Sequence, residues 1–160
     1  MRKPLAVILT DTHKTKNNLD LVENIFDQAI ELALDLGCKS IYHGGDWFTN
    51  RVGKNLATLM AMKRVFDKID ASGLEIVGIP GNHDKTDQDS EDSYLDIFSG
   101  YENFTLHSKG GLRKFKDITV AFLPYFSQSY TERLKELELA AKRQKTTINI
   151  LVTHKAFNGV

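Results

Sequence analysis

Short apolar runs alternate along this chain with longer stretches of three- and four-residue periodicity. The runs Leu5-Ala6-Val7-Ile8-Leu9-Thr10, Ser40-Ile41-Tyr42-His43, Leu74-Glu75-Ile76-Val77-Gly78-Ile79-Pro80 and Ile148-Asn149-Ile150-Leu151-Val152-Thr153 read as strands. Between the first two, Val22, Ile25, Phe26, Ala29, Ile30, Ala33 and Leu36 predict an amphipathic helix. Asn17 or Asn18 is placed to cap it and Gly37 to end it. A second helix is marked by Leu56, Leu59, Met62, Phe66 and Ile69, with Gly73 as its stop. Met60 and Met62 read as core filler. Strand, helix, strand in this order is the βαβ signal of an α/β fold.

The second half is more polar. Residues 85–96 carry Asp87, Asp89, Glu91, Asp92 and Asp96 and read as a solvated loop leading into a helix. Tyr94, Leu95, Ile97 and Phe98 are expected on that helix's buried side. Residues 104–107 form a short strand candidate, Gly110-Gly111 a turn, and residues 117–123 a strand closed by Pro124. Residues 130–145 predict a charged helix with Leu134, Leu137 and Ala141 facing inward. Its mixed charges describe a solvent face rather than a nucleic-acid patch.

Composition sharpens the picture only in part. The 160 residues are 41% hydrophobic and 26% charged, enough for one domain over residues 1–160 with a sizeable core. Lys and Arg number 21, equal to Asp and Glu, so bulk charge makes no case for nucleic acid. A phosphate substrate is still open, because bound divalent ions supply positive charge where it is needed. Cys38 is the only cysteine, which excludes an internal disulfide, fits a reducing compartment and reads as a small buried hydrophobe. The N-terminal apolar run is cut by Asp11 and His13 and is too short for a signal segment. No stretch is long enough to span a bilayer, so no membrane partner and a cytoplasmic location are expected.

The candidate chemistry sits where the strand-like runs stop. Asp11-Thr12-His13 follows the first run, Gly44-Gly45-Asp46 the second, Gly81-Asn82-His83-Asp84 the third, and His154 the last. Ligands bind at the carboxyl edge of open α/β sheets. If the runs are parallel strands of one sheet, Asp11, His13, Asp46, Asn82, His83 and His154 converge on one edge. Asp and His suit Mn²⁺, Fe²⁺ or Zn²⁺, and one Asp can bridge two ions. Two ions about 3.5–4 Å apart polarise a phosphate and activate a water for in-line attack. His83, with Asp84 beside it, fits the acid that protonates the leaving alkoxide. No Gly-x-x-x-x-Gly-Lys-Ser/Thr loop and no Gly-x-Ser-x-Gly elbow is present, which argues against a P-loop NTPase and a serine hydrolase.

Asp11-x-His13, Gly45-Asp46, Gly81-Asn82-His83-Asp84 and Thr153-His154, in this order, resemble the calcineurin-like metallophosphoesterases over nearly the whole chain. The resemblance implies a two-sheet sandwich flanked by helices. It implies that Asp11, His13 and Asp46 hold one metal, and that Asp46, Asn82 and His154 hold a second, with Asp46 bridging. It also implies that His83 is the leaving-group acid, oriented by Asp84. Within the superfamily, Gly45-Asp46-Trp47-Phe48, the helix before it and Leu123-Pro124-Tyr125 are similar to the SbcD-type DNA-repair nucleases and related phage recombination nucleases. That resemblance implies a DNA substrate, two Mn²⁺-like ions, an SbcC-type ATPase partner and a homodimer.

The family pattern continues with a further His and a closing Gly-His-x-His, whereas this sequence ends at Val160. The resemblance therefore describes an N-terminal portion of the fold, with one histidine missing from each metal and the ATPase-binding segment absent. A fragment, a truncated product or one piece of a split gene is the expectation. Two alternative readings stand beside the nuclease: a phosphoesterase acting on small nucleotides or phosphoproteins, and an inactive remnant or binding module. His43 is expected to be packed or hydrogen-bonded, and His107 is given no role.

Overall fold

The computed structural model describes residues 4–155, and its strands form two sheets, as the family resemblance implies. The first sheet holds β1 (Val7–Leu9), β2 (Ser40–His43), β3 (Glu75–Gly78) and β4 (Phe104–Leu106) in that order, all parallel. The second holds β5 (Gly111–Phe115), β6 (Ile118–Leu123) and β7 (Ile148–Thr153). There β5 and β6 make an antiparallel hairpin, and β7 pairs parallel to β6. Parallel neighbours need a crossover, and helices supply three of them. They are α1 (Leu19–Leu36) between β1 and β2, α2 (Leu56–Ser72) between β2 and β3, and α3 (Tyr130–Lys142) between β6 and β7.

The sequence period decides which side each residue faces. Successive strand residues point to opposite faces, so Ile41 packs under the helices while Tyr42 packs toward the second sheet. The larger core joins Val22, Phe26 and Ala33 of α1 and Met62, Val65, Phe66 and Ile69 of α2 to Ile41, Ile76 and Trp47. The core between the sheets holds Tyr42, Val77, Ile79, Val120, Phe122 and Val152. Each such large side chain contributes roughly 1.5–3 kcal/mol through burial. A smaller cluster sets α3 on Leu123 and Phe126. The fold is thus two sheets flanked by helices. Cys38 is buried, as expected. No helix among the described residues is long and apolar enough to cross a membrane.

Several local expectations are corrected. Residues 94–98 form a short 3₁₀ turn, which buries Leu95 and Phe98 but leaves Ile97 exposed. Successive turns of so tight a helix cannot keep all four apolar residues inward. Gly111 opens strand β5 instead of completing a turn. Leu36, Leu56 and Met60 are exposed, because the helix ends and the outer face of α2 project beyond the sheet. Residues 156–160 lie outside the described residues.

Candidate metal centre

Strand ends from both sheets meet at one place. Asp11 and His13 follow β1, Asp46 follows β2, Asn82, His83 and Asp84 follow β3, and His154 follows β7 of the second sheet. The edge expected from one sheet is therefore a junction of two. The connecting loops are zipped by backbone hydrogen bonds: the N–H of Asp11 donates to the Gly45 carbonyl and that of His13 to the Asp46 carbonyl, both at 3.0 Å. Asp11, His13 and Asp46 all sit at positive φ, 53°, 46° and 54°. Such backbone is rare away from glycine and costs of order 1–2 kcal/mol per residue. Asn18 holds the first loop in shape. It sits at the start of α1 but makes no side-chain cap; its Oδ1 accepts from Thr15 N and its Nδ2 donates to His13 O.

Asp46 is the centre. Its carboxylate is buried, and Oδ2 lies 3.4 Å from His154 Nε2, 3.7 Å from His13 Nε2 and 3.9 Å from His83 Nε2. Its Oδ1 accepts the His83 N–H at 2.9 Å. Burial would raise the carboxyl pKa, but the His154 imidazole and the His83 N–H outweigh it, so the group is held below its ordinary range. For His154, burial acts downward, and the Asp46 carboxylate with Asp11 outweighs it and raises the imidazole. Asp11 Oδ1 lies 3.6 Å from His13 Nε2. Asn82 Oδ1 lies 3.2 Å from His154 Nε2.

Close approach here depends on glycine. A Cβ on Gly81 would stand 2.2 Å from Asp46 Oδ1 and 2.3 Å from its N. A Cβ on Gly45, whose φ is +104°, would stand 2.9 Å from the His154 ring.

Asp84 plays a different part from the one expected. Its carboxylate is fully buried and accepts three backbone N–H groups: Gly81 at 2.8 Å, Phe48 at 3.0 Å and Trp47 at 3.2 Å. Burial pushes its pKa up to about 7, against the lowering effect of those three donors. The His83 ring is instead held by the Thr49 carbonyl, which accepts from Nδ1. Thr49 also donates its Oγ1–H to the His13 carbonyl at 2.6 Å. Thr49 carries no signal in the sequence, because a backbone carbonyl is the same in every residue type. His43 is packed and hydrogen-bonded, as expected. It stacks on Trp47 at 3.8 Å, its Nε2 meets Thr12 Oγ1 and its Nδ1 accepts from Gly45 N. Burial drives its pKa down to about 3, so the ring is neutral and structural. His107 stacks on Phe122 beneath Gly111, away from these loops.

The donor set suits divalent ions. The ligand atoms of His13, Asp46 and His83 lie within 4.8 Å of one another, as do those of Asp11, Asp46 and His154. Asp46 belongs to both groups. Neither Asp11 nor Asp46 is ion-paired to a lysine or arginine among the described residues. The Nδ1 atoms of His83 and His154 are taken by the Thr49 and Gly44 carbonyls, which turns each Nε2 toward Asp46. For His154 that is the arrangement metal-binding imidazoles adopt, while the same fixing of His83 leaves its Nε2 facing the site at 3.9 Å from Asp46 Oδ2.

The chain is 26% identical to the DNA double-strand break repair protein Mre11 of Sulfurisphaera tokodaii, over all of this chain and 43% of that protein. It thus spans less than half the length of that curated relative. The crystal structure of Pseudomonas putida nuclease MPE is similar at a TM-score of 0.44 and 21% identity, over 72% of this chain and 51% of the other. Residues 5–159 match the family described as calcineurin-like phosphoesterase, and with nearly the whole sequence inside that match the chain belongs to this family.

Proposed function

We propose that the protein is a metal-dependent phosphodiester hydrolase that cuts DNA, a nuclease of the SbcD type. The observation that carries this reading is Asp46, a buried carboxylate ringed by three imidazole nitrogens with a second carboxylate, Asp11, beside them. In this reading Asp11 and His13 hold one divalent ion, Asn82 and His154 the other, and Asp46 bridges. Mn²⁺ is the first choice, with Fe²⁺ or Zn²⁺ as alternatives. When bound, the pair polarises the phosphate and activates a water.

The chain's own residues supply the rest. His83, fixed at Nδ1 by Thr49, has Nε2 free to donate a proton to the leaving alkoxide. Asp84 keeps the turn that carries His83 docked on the backbone of Trp47 and Phe48. The Mre11 relative, named for DNA double-strand break repair, supports DNA as the substrate.

The test is hydrolysis of single- and double-stranded DNA with Mn²⁺, with EDTA and the His83→Ala variant as controls. Cleavage lost in both controls is the expected result. Uncut DNA alongside turnover of a phosphomonoester would overturn the nuclease assignment.

A further inference from the structure

A cleft of about 520 Å³ opens next to the metal centre, between residues 14–17 and 49–58. Ligand sites commonly measure roughly 300–1,000 Å³. Lys14, Lys16 and Lys54 line it, with Asn17, Asn50 and Thr49, and no carboxylate does. A chain with no net charge thus gathers three cations in one cavity. The start of α2, at Asn55 and Thr58, forms another part of the wall and brings the positive end of a helix.

The cleft shares its wall with the site. Thr49 holds both His83 and the His13 loop, and Lys54 Nζ donates to the His83 carbonyl at 3.2 Å. Two of the three cations are already committed. Lys14 is buried against Glu23 and the Leu19 carbonyl, and Lys54 is spread over the Phe48 and Tyr94 rings. Lys16 makes no hydrogen bond or ion pair among the described residues. No aromatic side chain lines the cleft, so it offers no stacking platform for a base. Its amides, hydroxyls and ammonium groups suit phosphate and sugar.

Resting on the nuclease reading above, we propose that this cleft is a backbone subsite. It would take a phosphate of a polynucleotide beyond the one being cut, with Lys16 as its free cation. The site would then favour polymeric phosphodiesters over small ones.

The experiment measures binding of fluorescein-labelled oligodeoxythymidine by anisotropy over a salt series in EDTA. It also measures hydrolysis of bis(p-nitrophenyl) phosphate with Mn²⁺. Each phosphate contact on a single strand adds about 0.7 to the slope of log affinity against log salt. Lys16→Ala is expected to lower the slope by about that amount, and Lys16→Glu to weaken binding further, while turnover of the small diester is unchanged. An unchanged slope, or a wild-type protein that hydrolyses the small diester but does not bind the oligonucleotide, overturns the subsite. A wild-type protein that cuts DNA with a slope indifferent to Lys16 sinks the subsite alone. One that cuts neither substrate sinks the reading beneath it as well.

Discussion

The Asp84 carboxylate accepts the backbone N–H of Phe48 at 3.0 Å, across 36 residues of sequence. With Trp47 N and Gly81 N it has three such donors, and the group is fully buried. Asp84 therefore ties the turn after β3 to the loop after β2, the two loops that meet at Asp46. Removing it leaves three buried N–H groups without an acceptor, each costing roughly 1–3 kcal/mol. Asp84→Ala is expected to lose about 3 kcal/mol or more in urea unfolding at neutral pH. A loss under about 1 kcal/mol would show that water or relaxation replaces the carboxylate.

Gly81 has no room for a side chain. The Cβ of Gly81→Ala would overlap Asp46 Oδ1 and N, and Asp46 is packed too tightly to retreat. The variant is expected to fold with its Asp46 loop displaced, and so to lose Mn²⁺ affinity by more than tenfold in calorimetric titration. Wild-type affinity in Gly81→Ala would mean the turn shifts as a unit without disturbing the carboxylate.

Much of this arrangement can be read from the sequence, and the exceptions have physical causes. The strands of the first sheet follow from short continuous apolar runs, and helices α1 and α2 from 3.6-residue periods with glycine stops at Gly37 and Gly73. Strand β5 does not, because Arg113 and Lys114 interrupt its five residues and its partner is set by the hairpin with β6. That β7 joins a different sheet from β1 is also invisible locally, since both are short apolar runs. Asp11, His13, Asp46, Asn82, His83 and His154 are legible because their types and strand-end positions suit one chemistry. The Asp84 and Thr49 contacts are not, because each is made to or by backbone, which is alike in every residue.

Asp46 is common to both groups of candidate ligands, and this separates it from every other member of the site. Asp46→Ala is expected to abolish binding of both ions, read as the Mn²⁺ stoichiometry by electron paramagnetic resonance. His13→Ala and His154→Ala should each weaken one ion. Two ions retained in Asp46→Ala would remove the bridging role, whatever the activity. The His83→Ala protein should keep its Mn²⁺ largely intact while losing hydrolysis, because its proposed part is the proton rather than the ion.

Lys85 gives a pH-dependent test that does not involve the metal site's ligands. Its ammonium is buried, donates to the Ser90 and Tyr125 carbonyls at 2.8 Å each, and lies 4.0 Å over the Phe126 ring. Burial, with Arg133 nearby, brings its pKa from 10.5 down to about 8. Below about pH 8 both folded and unfolded chains hold the proton, and the cost of burying the charge is fully present. Between about pH 8 and 10.5 the unfolded chain keeps a proton that the folded chain has released, so this group makes stability rise with pH. The full swing is about 3 kcal/mol at most, from 1.36 kcal/mol per pKa unit. Lys14 and Lys54 are shifted in the same direction, so the wild-type curve alone sums several groups. The difference between wild type and Lys85→Met isolates one. That difference, from urea unfolding, is expected to move in favour of the wild type by about 1–3 kcal/mol between about pH 8 and 10. A difference that stays flat would mean the two carbonyls and the ring compensate burial fully and keep Lys85 charged throughout.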